Sequence, residues 1–240
     1  MVLCDSPHSL TEISLAVGKI AAIREHMTLV NSKPFLWAEL IGFMLGVPLL
    51  MRFVLPPMAI LPMVWLMAIL CHFISDAANG WVRENWWGWG AITRVQLRPI
   101  LKRFALCALL LTGFTYALDP ALLFSFAREK PLFWLVVMVM YPLISVFAQE
   151  IIFRRYMFVR YKTLLSPMVL IIVSGVGFGF AHIVFGNWLA PLLCVIGGVM
   201  FAQTYARTGS LALVCLEHAL YGDFVFTIGL GKYFYHGVVH

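Results

Sequence analysis

Charged residues are scarce in this chain: Asp, Glu, Lys and Arg make up only 12% of its 240 residues, against about 25% in soluble domains. Hydrophobic residues reach 62%, and the mean hydropathy is +0.91. Apolar runs of roughly 17 to 25 residues, the length that crosses a bilayer, recur along the whole sequence. These features exclude a soluble domain and predict an all-α, polytopic transmembrane helix bundle in contact with membrane lipid.

Several patterns typical of other protein classes are missing. The five cysteines are odd in number and form no CxxC pair, so they indicate no disulfide framework. There is no H-E-x-x-H zinc motif, and no internal repeat at the scale of an inverted-repeat transporter is visible. The net charge of +6 is explained by the basic loops of a membrane protein, so it requires no nucleic-acid partner.

Hydropathy, together with the positions of proline, glycine and charged residues, predicts about seven membrane spans. The fourth and fifth spans are expected to form an antiparallel hairpin that turns near residues 163–166. Glycine-rich stretches in the fifth and sixth spans favour close helix packing. The predicted spans are about Leu36–Leu55, Met58–Ser75, Phe104–Phe126, Leu132–Phe158, Met168–Phe185, Trp188–Ala206 and Leu211–Leu230.

The basic residues predict the orientation, because basic loops remain in the cytoplasm. Thirteen of the 17 Lys and Arg residues fall on the side of the N-terminus and four on the opposite side, so we expect a cytoplasmic N-terminus. Residues 1–34 are expected to be a cytoplasmic amphipathic segment, in which Ser9 and Glu12 have capping-box spacing. A loosely ordered tail is the alternative for this segment, and residues 35–240 form the expected membrane domain.

Four tryptophans cluster between the second and third predicted spans. Trp81, Trp86, Trp87 and Trp89 occur within the stretch GWVRENWWGWG. Tryptophan is enriched where a bilayer meets water, so the cluster predicts an interfacial belt. A role in gating or in receiving a substrate is the alternative.

The remaining ionisable residues concentrate in three late spans. A charged group at the centre of a spanning helix costs roughly 2.5 to 3.5 kcal/mol, so its presence indicates a function. Glu150 precedes the hairpin turn by about 14 residues and His182 follows it by about 17, which at about 1.5 Å per residue puts them at one level. His218 follows the turn at Gly209 by nine residues, so all three are expected to meet in one layer.

The spacing of these residues indicates hydrolytic chemistry. Glu150 and Arg154 are four residues apart, so the guanidinium group can hold the carboxylate on one helix face. A glutamate and two histidines in a pocket of low dielectric constant can activate water. The carboxylate would act as general base, one histidine would share the proton and the other would stabilise an oxyanion.

At these residues the chain resembles the CAAX-protease and bacteriocin-processing family (CPBP, also called Abi) of intramembrane glutamic endopeptidases. The family motif E-E-x-x-x-R falls on Gln149–Arg154, F-x-x-x-H on Phe178–His182, and H-x-x-x-N, or a similar polar residue, on His218–Gly222. The order and separation of the three motifs place the family core at about 132–230. The segment EHALYGDFVFTIGLG also resembles sortase-like (myxosortase-type) members, which trim C-terminal membrane anchors.

The resemblance implies an endopeptidase of the bacterial plasma membrane that needs no cofactor. Its expected substrate is a membrane-associated protein or peptide with a CAAX-like tail, a leader or a C-terminal sorting signal. Catalysis is expected from Glu150, His182 and His218, with support from Gln149, Arg154, Phe178 and Asp223.

Two positions depart from the family pattern. The first motif glutamate is Gln149, whose amide cannot act as a general base, so a subgroup that uses Glu150, a silent relative and an engineered isostere all remain open. The polar residue of the third motif is Gly222, with Asp223 one place later. On a regular helix Asp223 points about 140° away from His218, so it replaces the missing side chain only if Gly222 loosens the helix.

Other functions are compatible with the same residues. A catalytically silent relative that binds peptides or confers immunity is one alternative. A zinc site is another, since two histidines and a carboxylate are the ligands of many catalytic zinc ions. A proton-coupled transporter is the third, because buried glutamate and histidine also carry protons. The sequence leaves the oligomeric state open.

Overall fold

The structure is a computed structural model, and it describes residues 29–80 and 85–234. These residues form eight helices and no strand, so the prediction of an all-α fold is confirmed. Most of the expected N-terminal segment, with Ser9 and Glu12, lies outside the described residues, as does Trp81.

Six of the eight helices are long and apolar enough to cross a membrane, which confirms a polytopic helix bundle. The seventh predicted span corresponds to a helix of 17 residues, about 26 Å long against a hydrocarbon layer of about 30 Å. The helices are α1 (Lys33–Phe53), α2 (Pro57–Ala78), α3 (Arg94–Leu118), α4 (Ser125–Glu129), α5 (Pro131–Arg160), α6 (Pro167–Phe185), α7 (Leu189–Thr208) and α8 (Leu211–Thr227).

The prediction for α3 was wrong at both ends, since the expected span was Phe104–Phe126. The helix begins ten residues earlier because the Thr93 side chain accepts a hydrogen bond from the backbone N–H of Gln96. It ends before Asp119, which is extended and accepts a hydrogen bond from the N–H of Ala121. Hydropathy excluded the basic first turns of α3, although long basic side chains can remain in a helix and reach water.

By its internal contacts the chain divides into two units, Met1–Phe43 and Met44–His240. In the first unit, the described backbone forms a helix from Lys33 to Ile41 with a proline in its first turn, where a missing N–H costs nothing. The second unit contains all the residues of the candidate site.

Close packing of α6 against α7 depends on glycine. A Cβ atom added to Gly175 would lie 2.6 Å from the backbone nitrogen of Val199, and one added to Gly198 would lie 2.8 Å from the carbonyl oxygen of Gly175. Both distances are too short for a real contact. The prediction that glycine allows these helices to approach closely is therefore confirmed.

The described tryptophans of the cluster, Trp86, Trp87 and Trp89, lie next to helices of the bundle or to one another. The carbonyl oxygens of Trp86 and Trp87 accept hydrogen bonds from the N–H groups of Leu211 and Ala212, at 3.4 and 2.9 Å. These N–H groups belong to the first turn of α8 and have no partner within the helix. Trp87 also stacks on Phe147 of α5, with ring centroids 5.1 Å apart. The cluster therefore holds the start of α8 beside α5.

A charged pair joins α2 to α5 next to this cluster. Arg155 of α5 is only 3% exposed, forms a salt bridge with Asp76 of α2 and donates a hydrogen bond to the carbonyl oxygen of His72. Its guanidinium group lies 4.7 Å above the ring of Trp86. The salt bridge with Asp76 offsets the cost of burying Arg155. It also holds α5 against α2, at the end of α5 that is predicted to lie on the cytoplasmic side.

We expect Gly175→Ala to lower the free energy of unfolding by about 1 to 3 kcal/mol, the usual effect of overpacking. The added methyl group would force α6 and α7 apart. Denaturant-induced unfolding in detergent micelles, followed by circular dichroism, measures the change. The matched control is Gly113→Ala on α3, whose added Cβ meets nothing within 4 Å. Equal losses in the two variants would contradict this account of the packing.

Candidate active site

The site is built around α5, which is not a regular α-helix throughout. Two π-helical turns, at Tyr141–Val146 and Ile151–Tyr156, flank the short α-helical segment Phe147–Glu150. Turns of this kind are frequent at functional sites, because they change the direction in which the following side chains point.

The first π turn brings Tyr141 and Glu150 toward one side of α5. In a regular α-helix their nine-residue separation corresponds to about two and a half turns, so the two side chains would point in opposite directions. A π turn joins residues five apart and uses about one extra residue, which shifts the following residues back by roughly 100°. The two side chains are then separated by about 80°, so a single neighbour can contact both.

That neighbour is His218 on α8. Its Nδ1 atom lies 2.7 Å from Glu150 Oε1, and its Nε2 atom lies 3.0 Å from the Tyr141 hydroxyl group. An ionised carboxylate only accepts hydrogen bonds. Nδ1 of His218 therefore carries the proton and donates a hydrogen bond to Glu150. In neutral His218, Nε2 then has a lone pair that accepts a hydrogen bond from Tyr141.

The carboxylate of Glu150 is completely buried and lies between two partners. Its Oε2 atom is 3.1 Å from Arg154 Nε, an ion pair in which the N–H is not aligned for a hydrogen bond. The structure therefore places Glu150 in contact with Arg154, as the spacing predicts, and brings it together with His218.

Phe178 on α6 packs among the charged and polar groups. Its ring lies 4.9 Å below the guanidinium carbon of Arg154, 4.7 Å from the ring of His182 and 5.3 Å from that of His218. An arginine above an aromatic face is attracted to the ring quadrupole, and the attraction is larger away from water. Phe178 therefore positions three of the predicted site residues.

His182 lies at the end of α6, where the last turn tightens to a 3₁₀ helix over His182–Phe185. Its Nδ1 atom is 2.7 Å from the carbonyl oxygen of Phe178. A carbonyl oxygen only accepts hydrogen bonds, so Nδ1 carries the proton, and Nε2 of neutral His182 has a free lone pair. This tautomer can take a proton from water.

A cavity of about 320 Å³ lies beside these residues. Its polar lining groups include Tyr141, Ser145, Gln149, His182 and His218, and most of its other walls are aliphatic and aromatic side chains from α3, α7 and α8. Glu150 and Arg154 are not among the residues that line it. The charged pair therefore reaches the cavity through His218.

Gln149 faces the cavity next to the buried glutamate. Its Nε2 atom donates a hydrogen bond to Ser145 Oγ at 2.7 Å. Its Oε1 atom is buried and has no hydrogen-bond partner among the described residues. An amide oxygen in this position can accept a hydrogen bond from a water molecule or from a peptide N–H group.

The helix is not loosened at the third motif. Helix α8 remains regular through Gly222 and Asp223, so Asp223 does not turn to the place of the missing side chain. It is half-buried, does not line the cavity, and its Oδ1 atom has no hydrogen-bond partner among the described residues. A Cβ atom added to Gly222 would instead lie 2.3 Å from the Tyr141 hydroxyl oxygen.

The sequence did not reveal a second charged pair, in which the glutamate is buried and the arginine is partly exposed. Glu217, beside His218, is completely buried and forms a salt bridge with Arg103 of α3, which also donates a hydrogen bond to Thr204 of α7. Arg103 is one of the thirteen basic residues assigned above to the side of the N-terminus, although it lies inside a helix. The predicted orientation is not tested by these contacts and stays a prediction.

Residues 131–222 match the family model described as Type II CAAX prenyl endopeptidase Rce1-like. The match covers less than half of the chain, and it shows that this segment is similar to that family. The Rce1-like match covers Tyr141 and all three predicted motifs, so it confirms the CPBP resemblance and a membrane family of the protease type. It does not distinguish the sortase-like subgroup, which stays a prediction. No curated protein and no solved structure significantly matches the chain.

Metal-ligand geometry can be assessed for the part of the chain that the structure describes. There, no group of three or more His, Cys, Asp or Glu side chains is arranged to hold a metal ion. Glu150 and two histidines, the ligand set that the sequence made conceivable, are instead arranged with the carboxylate behind His218.

We expect Arg154→Met to lower the free energy of unfolding by about 3 to 5 kcal/mol, because it leaves the buried carboxylate of Glu150 without its counter-charge. The double variant Glu150→Gln/Arg154→Met should lose at least about 1 kcal/mol less than the sum of the single losses. Unfolding in mixed micelles measures all three. Lys102→Met, an exposed basic residue on α3, is the control and should stay within about 0.5 kcal/mol of the parent. Additive losses would argue against direct coupling.

Proposed function

We propose that this protein is an intramembrane endopeptidase that hydrolyses a peptide bond of a membrane-associated protein or peptide. The main support is one observation: the Glu150–His218 hydrogen bond ends at a cavity that His182 and Gln149 also line. The similarity of residues 131–222 to the Rce1-like family supports the same reaction class.

In the proposed reaction His182 is the general base. Its Nε2 atom takes one proton from a water molecule while the water oxygen attacks the carbonyl carbon of the substrate. The protonated His182 then gives this proton to the leaving nitrogen as the carbon–nitrogen bond breaks. Proton transfer of this kind contributes about 10²- to 10⁴-fold to a rate.

Glu150 acts in this proposal through His218, so the role of direct base that the sequence suggested passes to His182. Arg154 holds the carboxylate of Glu150 in place, and Glu150 fixes the tautomer and ring orientation of His218. A buried carboxylate has the same relation to histidine in the Ser-His-Asp triad, where it orients the ring without taking the proton.

Gln149 is proposed to position the attacking water. Its Oε1 atom can accept a hydrogen bond from that water, while Ser145 holds the other end of the amide. An amide cannot remove a proton, so this role does not conflict with its presence at the first motif position.

The substrate is proposed to carry an apolar segment. The cavity walls are mainly aliphatic and aromatic, which suits a chain that arrives from the membrane. CAAX-like tails, leaders and C-terminal sorting signals share this property. The proposed location is the bacterial plasma membrane, with the N-terminus in the cytoplasm.

Mass spectrometry of peptides from membranes with and without the protein tests this proposal. We expect cleaved products that depend on the protein and fall by about 10²- to 10⁴-fold in His182→Ala. His72→Ala is the matched control, because His72 lies outside the cavity and its loss should leave cleavage intact. Equal cleavage by His182→Ala and the parent would contradict the proposed base. Solute uptake by vesicles without any cleavage would favour a transporter.

Gln149 variants separate an active peptidase from a silent relative. We expect the parent to cleave and Gln149→Ala to cleave more slowly, because the water loses a hydrogen-bond acceptor. Gln149→Glu should stay active, since Ser145 can donate a hydrogen bond to the new carboxylate. The measurement is product formation in the same membrane assay. Cleavage by Gln149→Glu combined with none by the parent would show that Gln149 silences the site.

A further inference from the structure

We propose that Tyr141 is a catalytic residue that donates a hydrogen bond to the carbonyl oxygen of the scissile peptide bond. In this proposal it supplies the polar group that the third motif lacks at Gly222. The inference rests on the proposed peptidase function and adds a residue that none of the three motifs contains.

The first observation in support is the position of the Tyr141 hydroxyl group. It lines the cavity together with His182 and lies 3.0 Å from His218 Nε2. The tyrosine ring is held by an edge contact with Phe226, with centroids 5.2 Å apart. The hydroxyl group is therefore held beside His218, in a cavity that His182 also lines.

The second observation is the pair of hydrogen bonds that His218 makes. Its Nδ1–H donates to Glu150, and its Nε2 accepts from Tyr141. Neutral His218 consequently presents no N–H group to the cavity and cannot take the oxyanion-stabilising role that the sequence suggested for one of the two histidines. The phenol O–H can turn from Nε2 to the substrate oxygen by rotation about its C–O bond, since the phenolic hydroxyl group can donate to either acceptor.

The third observation is the glycine at position 222. A Cβ atom there would lie 2.3 Å from both the hydroxyl oxygen and Cε1 of Tyr141, so no larger side chain fits beside this ring. Glycine inside a helix is less favourable than alanine. The absence of a side chain at Gly222 leaves room for the hydroxyl group of Tyr141 on α5. The family motif has a polar group at this place on α8.

Substitution of the hydroxyl group alone is the direct test. Tyr141→Phe keeps the ring and its packing, and we expect kcat to fall by about 10²- to 10³-fold, the usual effect of removing one oxyanion donor, with KM within about twofold. The probes are two quenched-fluorescence peptides in detergent micelles, one with a farnesylated CAAX-like tail and one with a hydrophobic C-terminal sorting segment.

Two further tyrosine variants serve as comparison. Tyr156→Phe removes a buried hydroxyl group outside the cavity, which contacts the hydroxyl group of Tyr161, and should leave kcat unchanged. Tyr221→Phe tests a rival donor, because Tyr221 also lines the cavity. A large loss of kcat in Tyr221→Phe with none in Tyr141→Phe would overturn the inference in favour of that residue.

An exchange of side chains between the two helices distinguishes chemistry from packing. Tyr141→Ala should be inactive, and Gly222→Asn should lose activity because the new side chain collides with the Tyr141 ring. The double variant Tyr141→Ala/Gly222→Asn should recover at least about tenfold over Tyr141→Ala, because the amide can donate from the vacated space. A purely structural role for Tyr141 predicts no recovery.

The outcomes separate the inference from the function on which it rests. Cleavage of neither peptide by the parent protein, together with no protein-dependent products in the membrane mass-spectrometry assay, would overturn both proposals. Cleavage by the parent that Tyr141→Phe matches in kcat would overturn the inference alone and leave the peptidase function standing. A fall in kcat at constant KM, with recovery in the double variant, would support both.

Discussion

The structure of the site depends on one buried carboxylate. Glu150 has no exposed surface, and an ionised group in such surroundings is tolerated only when neighbours compensate its lost hydration. Arg154 provides the opposite charge from the same helix, and His218 provides a hydrogen-bond donor from α8. Phe178 of α6 covers the guanidinium group. Meeting these needs of a single side chain fixes the relative depth and rotation of three helices.

Features far from the carboxylate keep those helices in place. Glycine lets α6 and α7 approach closely, and carbonyl groups of the tryptophan cluster satisfy the first N–H groups of α8. The Arg103–Glu217 pair joins α3 to α8 one residue before His218. Each device acts on the backbone that carries a site residue, so the cavity and its polar groups form as one unit.

In the proposed mechanism, Tyr141 on α5 supplies the polar group that the third family motif has on α8. Where the third motif has a polar side chain one turn after His218, this chain has Gly222, and the ring of Tyr141 occupies the space. This exchange requires the π turn in α5, because a regular helix would point Tyr141 and Glu150 in opposite directions. A motif on α8 and an irregular turn on α5 therefore compensate each other.

Local information was enough for much of this protein. Composition and hydropathy predicted the all-α membrane bundle, and the four-residue spacing predicted the contact of Glu150 with Arg154, because both depend on neighbours along one helix. The contacts of Tyr141 and Arg103 could not be foreseen, since they join residues 77 and 114 positions apart. Such contacts depend on helix rotation and depth, which irregular turns and packing between helices set, and which no periodic pattern in one segment records.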